Sequence, residues 1–510
     1  MFNLSFSYYG SLFLGVQQWR FAQAVNTLNI DTTSGYVTGT VDRTAPNVAQ
    51  FLGIPYAEQP VGSRRWLPSV AKERAQFIDA TKFGPSCPQF EGNASNVWRT
   101  DAPEFLPEPE FGEDCLSVNI WAPWTGKRWN GTSNDTRPVI VWIHGGAFLT
   151  GGVNTPYHIP TQWVQRRKDL IVVAINYRLN IFGFPNARGT VQNLGLLDQR
   201  LALEWIQENI ANFGGDPERI TLWGQSAGAI AADLYNYAYP EDSIVSSYIL
   251  SSGNTYTPLQ SLDFEQNNFT FVAKHFGCGN LTATAELDCM RNVSSTDIIG
   301  YLKSRVDSTA TPALSFNIIV DNSTKFSNNT ARAIAGNYTK KPAIIGTTSN
   351  EGIAFLPYNR TYGPDQAIGD YYTLWLFICT EVKTTQDRFM TGSTTYRYLY
   401  AGNFSNISPL PWLGAYHSAD LPLVFGTYDI ARGEGTSFQT EVSEQLQDYW
   451  TAFAKDPING LPELGWDAYE PEGDAVLIGW EGQVVQPFPE SDIDIQCDGL
   501  LPREGAVSPP

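Results

Sequence analysis

Five short runs of apolar residues constrain the fold of this chain more than any other feature. Each run is rich in Val and Ile and is bounded by Gly, Pro, Asn or a charged residue. Continuous runs of this length are typical of strands buried on both faces of a mostly parallel sheet. The runs are PVIVWIHGG (138–146), LIVVAINY (170–177), RITLWGQ (219–225), SSYILSSG (246–253) and PAIIGTT (342–348).

A helical pattern separates the second run from the third. In LLDQRLALEWIQENIANFGGDP (196–217), Leu and Ile recur at approximately helical spacing, and the GGDP segment ends the helix. Strand, helix and strand in this order indicate an α/β fold. The chain has neither an internal repeat nor a low-complexity linker, so we predict one domain over residues 25–510 with long excursions. The weaker strand signals of 260–340 predict an insertion over the strand ends.

Composition and charge exclude several classes of function. The chain of 510 residues has a net charge of -19, and it lacks the clustered Lys and Arg with which proteins bind nucleic acid. Its 42% hydrophobic and 17% charged residues are typical of a globular protein. No apolar run approaches the roughly 18 residues that a membrane-spanning helix needs.

Residues 1–24 predict a signal peptide, because they are rich in Phe, Leu and Tyr and end in the small-x-small pattern Ala22-Gln23-Ala24. A frayed terminal tail is the alternative. The chain has many more N-x-S/T glycosylation triplets than the about five expected by chance, which favours passage through a secretory pathway to the outside of the cell. Beyond residue 24 their asparagines are Asn93, Asn130, Asn134, Asn268, Asn280, Asn292, Asn322, Asn328, Asn337, Asn359, Asn403 and Asn406.

The six cysteines also fit an oxidising compartment if they are paired. Cys278 and Cys289 enclose a short polar loop and are the pair most easily justified. Cys87 could then close a longer loop with Cys115, which leaves Cys379 and Cys497. The sequence permits other pairings, and no Cys or His spacing typical of a metal site is present.

Ser226 is the candidate nucleophile. It is the serine of a G-x-S-x-G motif, GQSAG, that follows the strand-like RITLWGQ and precedes the helix-like AGAIAADLYNYA. A sharp turn between a strand and a helix lifts such a hydroxyl clear of the sheet. The alternative is an ordinary serine at the glycine-flanked end of a strand.

A serine nucleophile needs a base, and the chain has only four histidines. In α/β hydrolases the order along the chain is serine, acid, histidine, which leaves His275 and His417. His275 lies beside the proposed Cys278–Cys289 loop, where a structural role is expected. We therefore predict His417 as the base and Glu351, directly after PAIIGTT, as the acid that orients it.

The segment HGGAF (144–148) follows the strand-like VIVWI and is the candidate oxyanion hole. Its glycine turn exposes backbone N–H groups, as stabilisation of a developing oxyanion requires. The N–H of Ala227, next to the nucleophile, completes the set. Without the nearby Ser226 motif, the same glycines would indicate only a turn.

Taken together, these motifs resemble the type-B carboxylesterase and lipase family, which includes cholinesterases and fungal lipases. The resemblance implies an α/β-hydrolase fold, a Ser226, Glu351 and His417 triad, and oxyanion donors at Gly146, Ala147 and Ala227. It also implies disulfides Cys87–Cys115, Cys278–Cys289 and, on cholinesterase precedent, Cys379–Cys497. The matching segments, in family order, are FLGIPYAEQPVG, EDCLSVNIW, VWIHGGAF, NYRLNIFGF, NLGLLDQRLALEWIQENIANFGGDP, LWGQSAG, TSNEG and GAYHSADLPLVFG.

Two departures from the family bear on the substrate. Gln225 stands where many relatives have Glu before the serine, and Phe105 lies where cholinesterases have a tryptophan for choline; both weaken attraction of a cation. The loop between Cys87 and Cys115 carries acidic residues, whereas a lipase lid presents an apolar face to lipid. These residues are Glu91, Asp101, Glu104, Glu108, Glu110, Glu113 and Asp114.

The sequence thus predicts a secreted serine carboxylesterase that acts on small-molecule esters without a metal or an organic cofactor. Soluble or monomeric esters are favoured over long-chain triglycerides. The alternatives are a lipase, an esterase for one secondary metabolite, and a catalytically silent adhesion or binding protein of the same fold.

Overall fold

The computed structural model describes residues 28–126 and 136–502. The predicted signal peptide (1–24) and the sequons at Asn130 and Asn134 lie outside the described residues.

An eleven-stranded sheet forms the body of the molecule, with strand order β14-β13-β12-β11-β10-β9-β7-β8-β6-β4-β3. The seven strands from β13 to β8 in that order are parallel, and antiparallel strands flank them on both sides. A second, small sheet contains β1, β2 and β5. The strands are β1 Asn29–Thr32, β2 Gly35–Thr38, β3 Thr40–Val41, β4 Val48–Pro55, β5 Ala75–Asp79, β6 Ser117–Pro123, β7 Arg137–Ile143, β8 Ile171–Ile175, β9 Gly215–Gln225, β10 Val245–Ser251, β11 Ala343–Thr348, β12 Thr395–Tyr400, β13 Asp474–Trp480 and β14 Gln483–Pro489.

Helices cover both faces of the large sheet. Successive residues of β7 alternate between two apolar clusters, with Val139 and Val141 in one cluster and Ile140 and Trp142 in the other, so both faces are buried. The α-helices are α1 Val97–Thr100, α2 Thr161–Arg167, α3 Asn180–Gly183, α4 Leu194–Asn209, α5 Ala227–Ala238, α6 Asn268–His275, α7 Ala283–Met290, α8 Ser295–Asp307, α9 Asn329–Ile334, α10 Gln366–Thr373, α11 Cys379–Met390, α12 Leu421–Phe425, α13 Ser437–Lys455 and α14 Glu490–Asp494.

All five apolar runs contain a strand of the large sheet, and the α/β prediction is confirmed. Strand β9 begins at Gly215 rather than at 219, because the chain is already extended when it leaves the left-handed Gly214 that ends the preceding 3-10 turn. The segment 260–340 forms α6 to α9, between the neighbouring strands β10 and β11. It is therefore an insertion, and it is helical.

Three disulfides join Cys87 to Cys115, Cys278 to Cys289, and Cys379 to Cys497. The first closes the loop that carries α1 over the edge of the site described below. The last ties the start of α11 to the end of the described chain. Within residues 28–126 and 136–502, no helix is both long and apolar enough to cross a membrane.

Most described sequon asparagines are exposed, but Asn406 is only 6% exposed. Its Nδ2 donates to the carbonyl of Tyr428 at 2.9 Å, and its Oδ1 accepts from Gln439 at 2.9 Å. A glycan on Nδ2 would break the first bond and would have to occupy the core. The predicted glycosylation of Asn406 does not fit this fold.

Candidate active site

Ser226 lies on a strained turn between β9 and α5, with φ 55° and ψ -125°. Few residues other than glycine adopt a positive φ, and strain of this kind is concentrated at functional sites. Two glycines make the turn possible. A Cβ on Gly224 would come within 2.2 Å of the Gly228 backbone, and one on Gly228 within 2.0 Å of the Ile143 carbonyl.

Glu351 and His417 meet at the carboxyl end of β11. The backbone of Asn350 pairs with the chain at Tyr416, which brings the two following side chains together. His417 Nδ1 lies 2.5 Å from Glu351 Oε2, and Glu351 is fully buried. The other oxygen, Oε1, accepts from the Thr348 N–H at 2.7 Å and from the Ser252 hydroxyl at 2.5 Å. The carboxylate is thus held on both oxygens.

The second ring nitrogen of His417 contacts Gln225. Its Nε2 lies 3.1 Å from Gln225 Nε2, and Gln225 is itself buried. With Nδ1–H donating to Glu351, the lone pair on Nε2 accepts from the amide of Gln225. Ser226 Oγ and His417 share no hydrogen bond within the described residues, although both line the same pocket.

Gly146 and Ala147, two of the predicted oxyanion donors, lie in the loop after β7. Gly146 and Ala147 both have positive φ, 102° and 55°, and the Gly146 carbonyl accepts from the Leu149 and Thr150 N–H groups. Asn317 Nδ2 donates to the Ala147 carbonyl at 2.9 Å and so fixes that peptide. Ala227 begins α5, and the first N–H of the helix to bond its own turn is that of Ile230, so the Ala227 N–H has no partner among the described residues.

One pocket of about 300 Å³ contains Ser226, His417, Gln225, Gly146 and Ala147. Its other walls are mainly apolar and include several residues that sequence reasoning did not single out. Trp98 lies on α1, within the Cys87–Cys115 loop, and its ring centroid is 5.5 Å from that of Phe355 and 6.3 Å from that of His417. Phe105 belongs to the same loop and lies where cholinesterases have a tryptophan. Trp98, seven residues earlier in the chain, nevertheless brings a tryptophan to the pocket.

Two further histidines line this pocket, and burial lowers the pKa of both. The pKa of His144 falls to about 4 and that of His158 to about 3, the latter aided by the nearby His144. In the sequence, neither histidine stands in a motif that would distinguish it from a structural histidine. Their proximity to Ser226 depends on how β7 and the following turn pack.

The Cys87–Cys115 loop is bound to the rest of the molecule through its acidic residues. Asp101 contacts Arg360 at 3.1 Å, Glu104 contacts Arg432 at 2.8 Å, and Glu113 contacts Arg65 at 2.6 Å. With the disulfide, these ion pairs fix the loop at several points along its length.

The comparisons with known proteins agree with this geometry. A model of the carboxylesterase family matches residues 26–366 and 363–484. The chain belongs to the carboxylesterase family. It is 43% identical to Secreted lipase 5 of Gibberella zeae and 42% identical to the chlorogenic acid esterase of Aspergillus niger, each over 92% of this chain and 94% of the relative. Acetylcholinesterase of Bungarus fasciatus is 27% identical over 93% of this chain and 87% of that protein.

Membership of the carboxylesterase family confirms the predicted fold and the predicted reaction class. The protein is a secreted carboxylic ester hydrolase. The alternative of a catalytically silent adhesion or binding protein is not supported, because relatives that match almost the whole chain are named as a lipase and an esterase.

Proposed function

We propose that Ser226 is the nucleophile, His417 the general base and Glu351 the acid that orients His417. Ser226 Oγ attacks the ester carbonyl as its proton passes to His417 Nε2, and the tetrahedral oxyanion is bound by the N–H groups of Gly146, Ala147 and Ala227. His417 then protonates the leaving alcohol, which leaves an acyl group on Ser226. Water, activated by the same histidine, releases the acid and regenerates the enzyme.

The observation that carries this assignment is the convergence of four chain segments, namely the loops after β7, β9 and β11 and the segment that carries His417. His417, paired with the buried Glu351 at 2.5 Å, lines one pocket with a serine on a strained turn and with a glycine loop. Parallel sheets bind their ligands at the carboxyl ends of their strands.

His417 must exchange partners before it can act. Its Nε2 accepts from Gln225 in the free enzyme, so the Gln225 contact has to yield to Ser226 Oγ. Catalytic hydrogen bonds are often long or absent without substrate and form in the Michaelis complex.

We further propose that the substrates are soluble or monomeric esters, and that residues 25–510 act as one catalytic domain. A lipase lid must move to expose an apolar face to lipid. The loop in that position is instead fixed by Asp101, Glu104 and Glu113 and by a disulfide. The aromatic rings of Trp98, Phe105 and Phe355 favour esters with a flat aromatic group, and the relative from Aspergillus niger is named as a chlorogenic acid esterase.

The assignment of Ser226 is tested by Ser226→Ala. We expect turnover of p-nitrophenyl butyrate to fall by about 10⁵-fold or more, because no other hydroxyl in the pocket combines an exposed turn with a base. Ser246→Ala, on the neighbouring strand β10 and outside the pocket, is the matched control and retains activity. Normal thermal unfolding of both variants separates loss of chemistry from loss of fold.

The substrate class is tested by rate against concentration for tributyrin, below and above its solubility limit. A soluble-ester hydrolase saturates below the limit and gains nothing when emulsion droplets form. A sharp rise in rate at the limit, or a preference for trioctanoin emulsions, would instead establish a lipase.

We infer that residues 1–24 are removed on export and that the exposed sequons carry glycans. N-terminal sequencing of the secreted protein checks the first point. Peptide mass mapping after enzymatic deglycosylation in ¹⁸O-labelled water checks the second point, and Asn406 is expected to be unmodified.

A further inference from the structure

The oxyanion loop, residues 145–151 after β7, has an unusual backbone conformation. Gly146, Ala147 and Phe148 follow one another with positive φ angles of 102°, 55° and 61°, and the last two are not glycines. A non-glycine residue is strained in this region, and it stays there only where the surrounding structure fixes the backbone. The N–H of Ala147 belongs to this strained stretch, so its direction depends on the groups that hold the loop.

Backbone donors hold two carbonyls of the oxyanion loop. The Gly146 carbonyl accepts from the Leu149 and Thr150 N–H groups at 2.9 and 3.0 Å. The Phe148 carbonyl accepts from the N–H of Asn180, the first residue of α3, at 2.8 Å. These bonds fix the loop on either side of Ala147 and do not depend on a side chain.

The Ala147 carbonyl is held by a side chain from the insertion. Asn317 Nδ2 donates to it at 2.9 Å across 170 residues of chain, and this is its only hydrogen bond among the described residues. Asn317 lies between α8 and α9 and is buried, and the described residues that line the Ser226 pocket do not include it. The insertion therefore restrains the peptide between Ala147 and Phe148, which directly follows the Ala147 N–H.

Asn317 is itself fixed in this orientation. Its Oδ1 accepts from the Ile318 N–H at 2.8 Å, and Ile318 is fully buried in the core. The next residue, Ile319, is bound to Asn193 at the start of α4: its N–H donates to Asn193 Oδ1 at 3.0 Å, and its carbonyl accepts from Asn193 Nδ2 at 2.8 Å. The amide thus reaches Ala147 from a segment that is anchored to the body of the molecule.

We propose that Asn317 is a positioning residue of the oxyanion hole, through which the insertion contributes to catalysis. Its bond keeps Ala147 at positive φ and so directs the Ala147 N–H before the substrate binds. Stabilisation of an oxyanion depends on donors that are preorganised in this way. Without the bond, Ala147 relaxes toward negative φ and its N–H turns away. The inference rests on the proposed function, because it takes Gly146 and Ala147 to be oxyanion donors.

Asn317→Ala removes the donor. We expect kcat for p-nitrophenyl butyrate to fall by about 10 to 100-fold, because acylation and deacylation both pass through an oxyanion and a misplaced group costs about this much. KM should stay within about twofold of wild type, because the lost interaction acts only in the transition state. The pH profile should not move, since the Glu351–His417 pair is unchanged.

Two inhibitors separate the oxyanion hole from the rest of the pocket. With pentyl trifluoromethyl ketone, Ser226 Oγ adds to the carbonyl carbon, its proton passes to His417, and the ketone oxygen becomes an oxyanion without a leaving group. Methyl pentyl ketone forms this adduct far less readily. The ratio of the two inhibition constants therefore measures oxyanion stabilisation and does not depend on how much of a preparation is folded. In Asn317→Ala it should fall by about 10 to 100-fold, in step with kcat.

Ser315→Ala is the matched control. The Ser315 hydroxyl, two residues before Asn317, accepts from the Leu262 N–H at 3.3 Å within the insertion. This variant loosens the same segment and should keep the wild-type kcat and inhibitor ratio. If Asn317→Ala does not fold, Asn317→Ser gives the same test, because its hydroxyl is one bond too short to reach the Ala147 carbonyl.

The proposal is overturned if the folded Asn317 variant keeps the wild-type kcat or the wild-type inhibitor ratio. It is also overturned if both ketones lose affinity equally, which would indicate a general distortion of the pocket. Failure of the proposed function has a different signature and is visible without any Asn317 variant. The trifluoromethyl ketone would then bind wild type no more tightly than the methyl ketone does, and Ser226→Ala would bind both as wild type does.

Discussion

His417 and His158 are both buried in the wall of one pocket, yet they differ in their partners. His417 is 4% exposed and is hydrogen-bonded through both ring nitrogens, to Glu351 and Gln225. His158 is 8% exposed, and neither of its ring nitrogens has a partner among the described residues. Burial alone therefore does not assign a role to a polar group. The first ring is held in one orientation beside the nucleophile, whereas both nitrogens of the second are enclosed by protein and do not face the pocket.

The largest expected effect is the loss of kcat/KM on substitution of His417, which separates it from His158. His417→Gln should lower kcat/KM by at least about 10⁴-fold, because no other group can take the Ser226 proton. The same substitution at His158 should cost no more than about 10-fold on any one ester. Equal losses in the two variants, measured with p-nitrophenyl butyrate, would contradict the distinction between the two histidines.

Glu351→Gln tests whether His417 depends on its carboxylate partner. We expect kcat to fall by about 10² to 10⁴-fold, because an amide at this position favours the wrong tautomer of the ring. Asp420→Asn is the matched control. Asp420 is a buried carboxyl three residues from His417, with one weak bond from Tyr398 at 3.3 Å and a pKa raised to about 7 by burial and by Glu351. A larger loss in the Asp420 variant would reverse the assignment of the acid.

Gln225→Glu tests how a negative charge beside His417 changes the pH dependence of catalysis. A carboxylate 3.1 Å from Nε2 would stabilise the protonated ring, whereas catalysis requires the neutral ring. The acidic limb of the kcat/KM profile should therefore move to higher pH by about one unit, with an about 10-fold loss of rate below it. Gln483→Glu, exposed on β14, controls for net charge, and an unmoved limb in the Gln225 variant would show that this contact is incidental.

The smallest expected effect extends the comparison to carboxylates. Glu490 is buried like Glu351, but its Oε1 lacks a partner in the described chain, and burial raises its pKa to about 8. Since the folded pKa exceeds the unfolded one, its contribution to stability is complete below about pH 4.5 and is lost as the pH rises toward 8. Glu490→Gln keeps an acceptor for Arg397, which donates to Oε2 at 2.7 Å.

The fall in the free energy of unfolding between about pH 5 and pH 8 should therefore be smaller in Glu490→Gln, by about 1 to 2 kcal/mol. Urea unfolding at the two pH values measures it. Glu204→Gln, which removes a half-exposed ion pair with Arg200, should leave the pH dependence as in wild type. An unchanged slope in the Glu490 variant would show that Arg397 fully compensates this carboxyl.

The sequence predicted the parts of the site that have strong local patterns. The central strands follow from continuous Val and Ile runs, and the Ser226 turn follows from glycines that steric contacts require at 224 and 228. The scarcity of histidine and the chain order then led to His417 and Glu351. The contact between Gln225 and His417 joins positions 192 residues apart, and no local pattern encodes it.

The pocket walls were also beyond sequence reasoning. Trp98 reaches the pocket because a disulfide and three ion pairs fold its loop over the strand ends. The sequence around His158 does not distinguish it from any core histidine, and only the fold places its ring in the pocket wall. Asn406 is the opposite case. Its local sequence pattern predicts glycosylation, but tertiary packing buries the side chain.

The central claim is that Ser226 is the residue acylated during turnover. Labelling with a fluorophosphonate, followed by peptide mass mapping, tests it most directly. We expect one adduct, on Ser226, formed in step with the loss of esterase activity and absent in Ser226→Ala. An adduct on another residue, or full inactivation without an adduct on Ser226, would contradict the account.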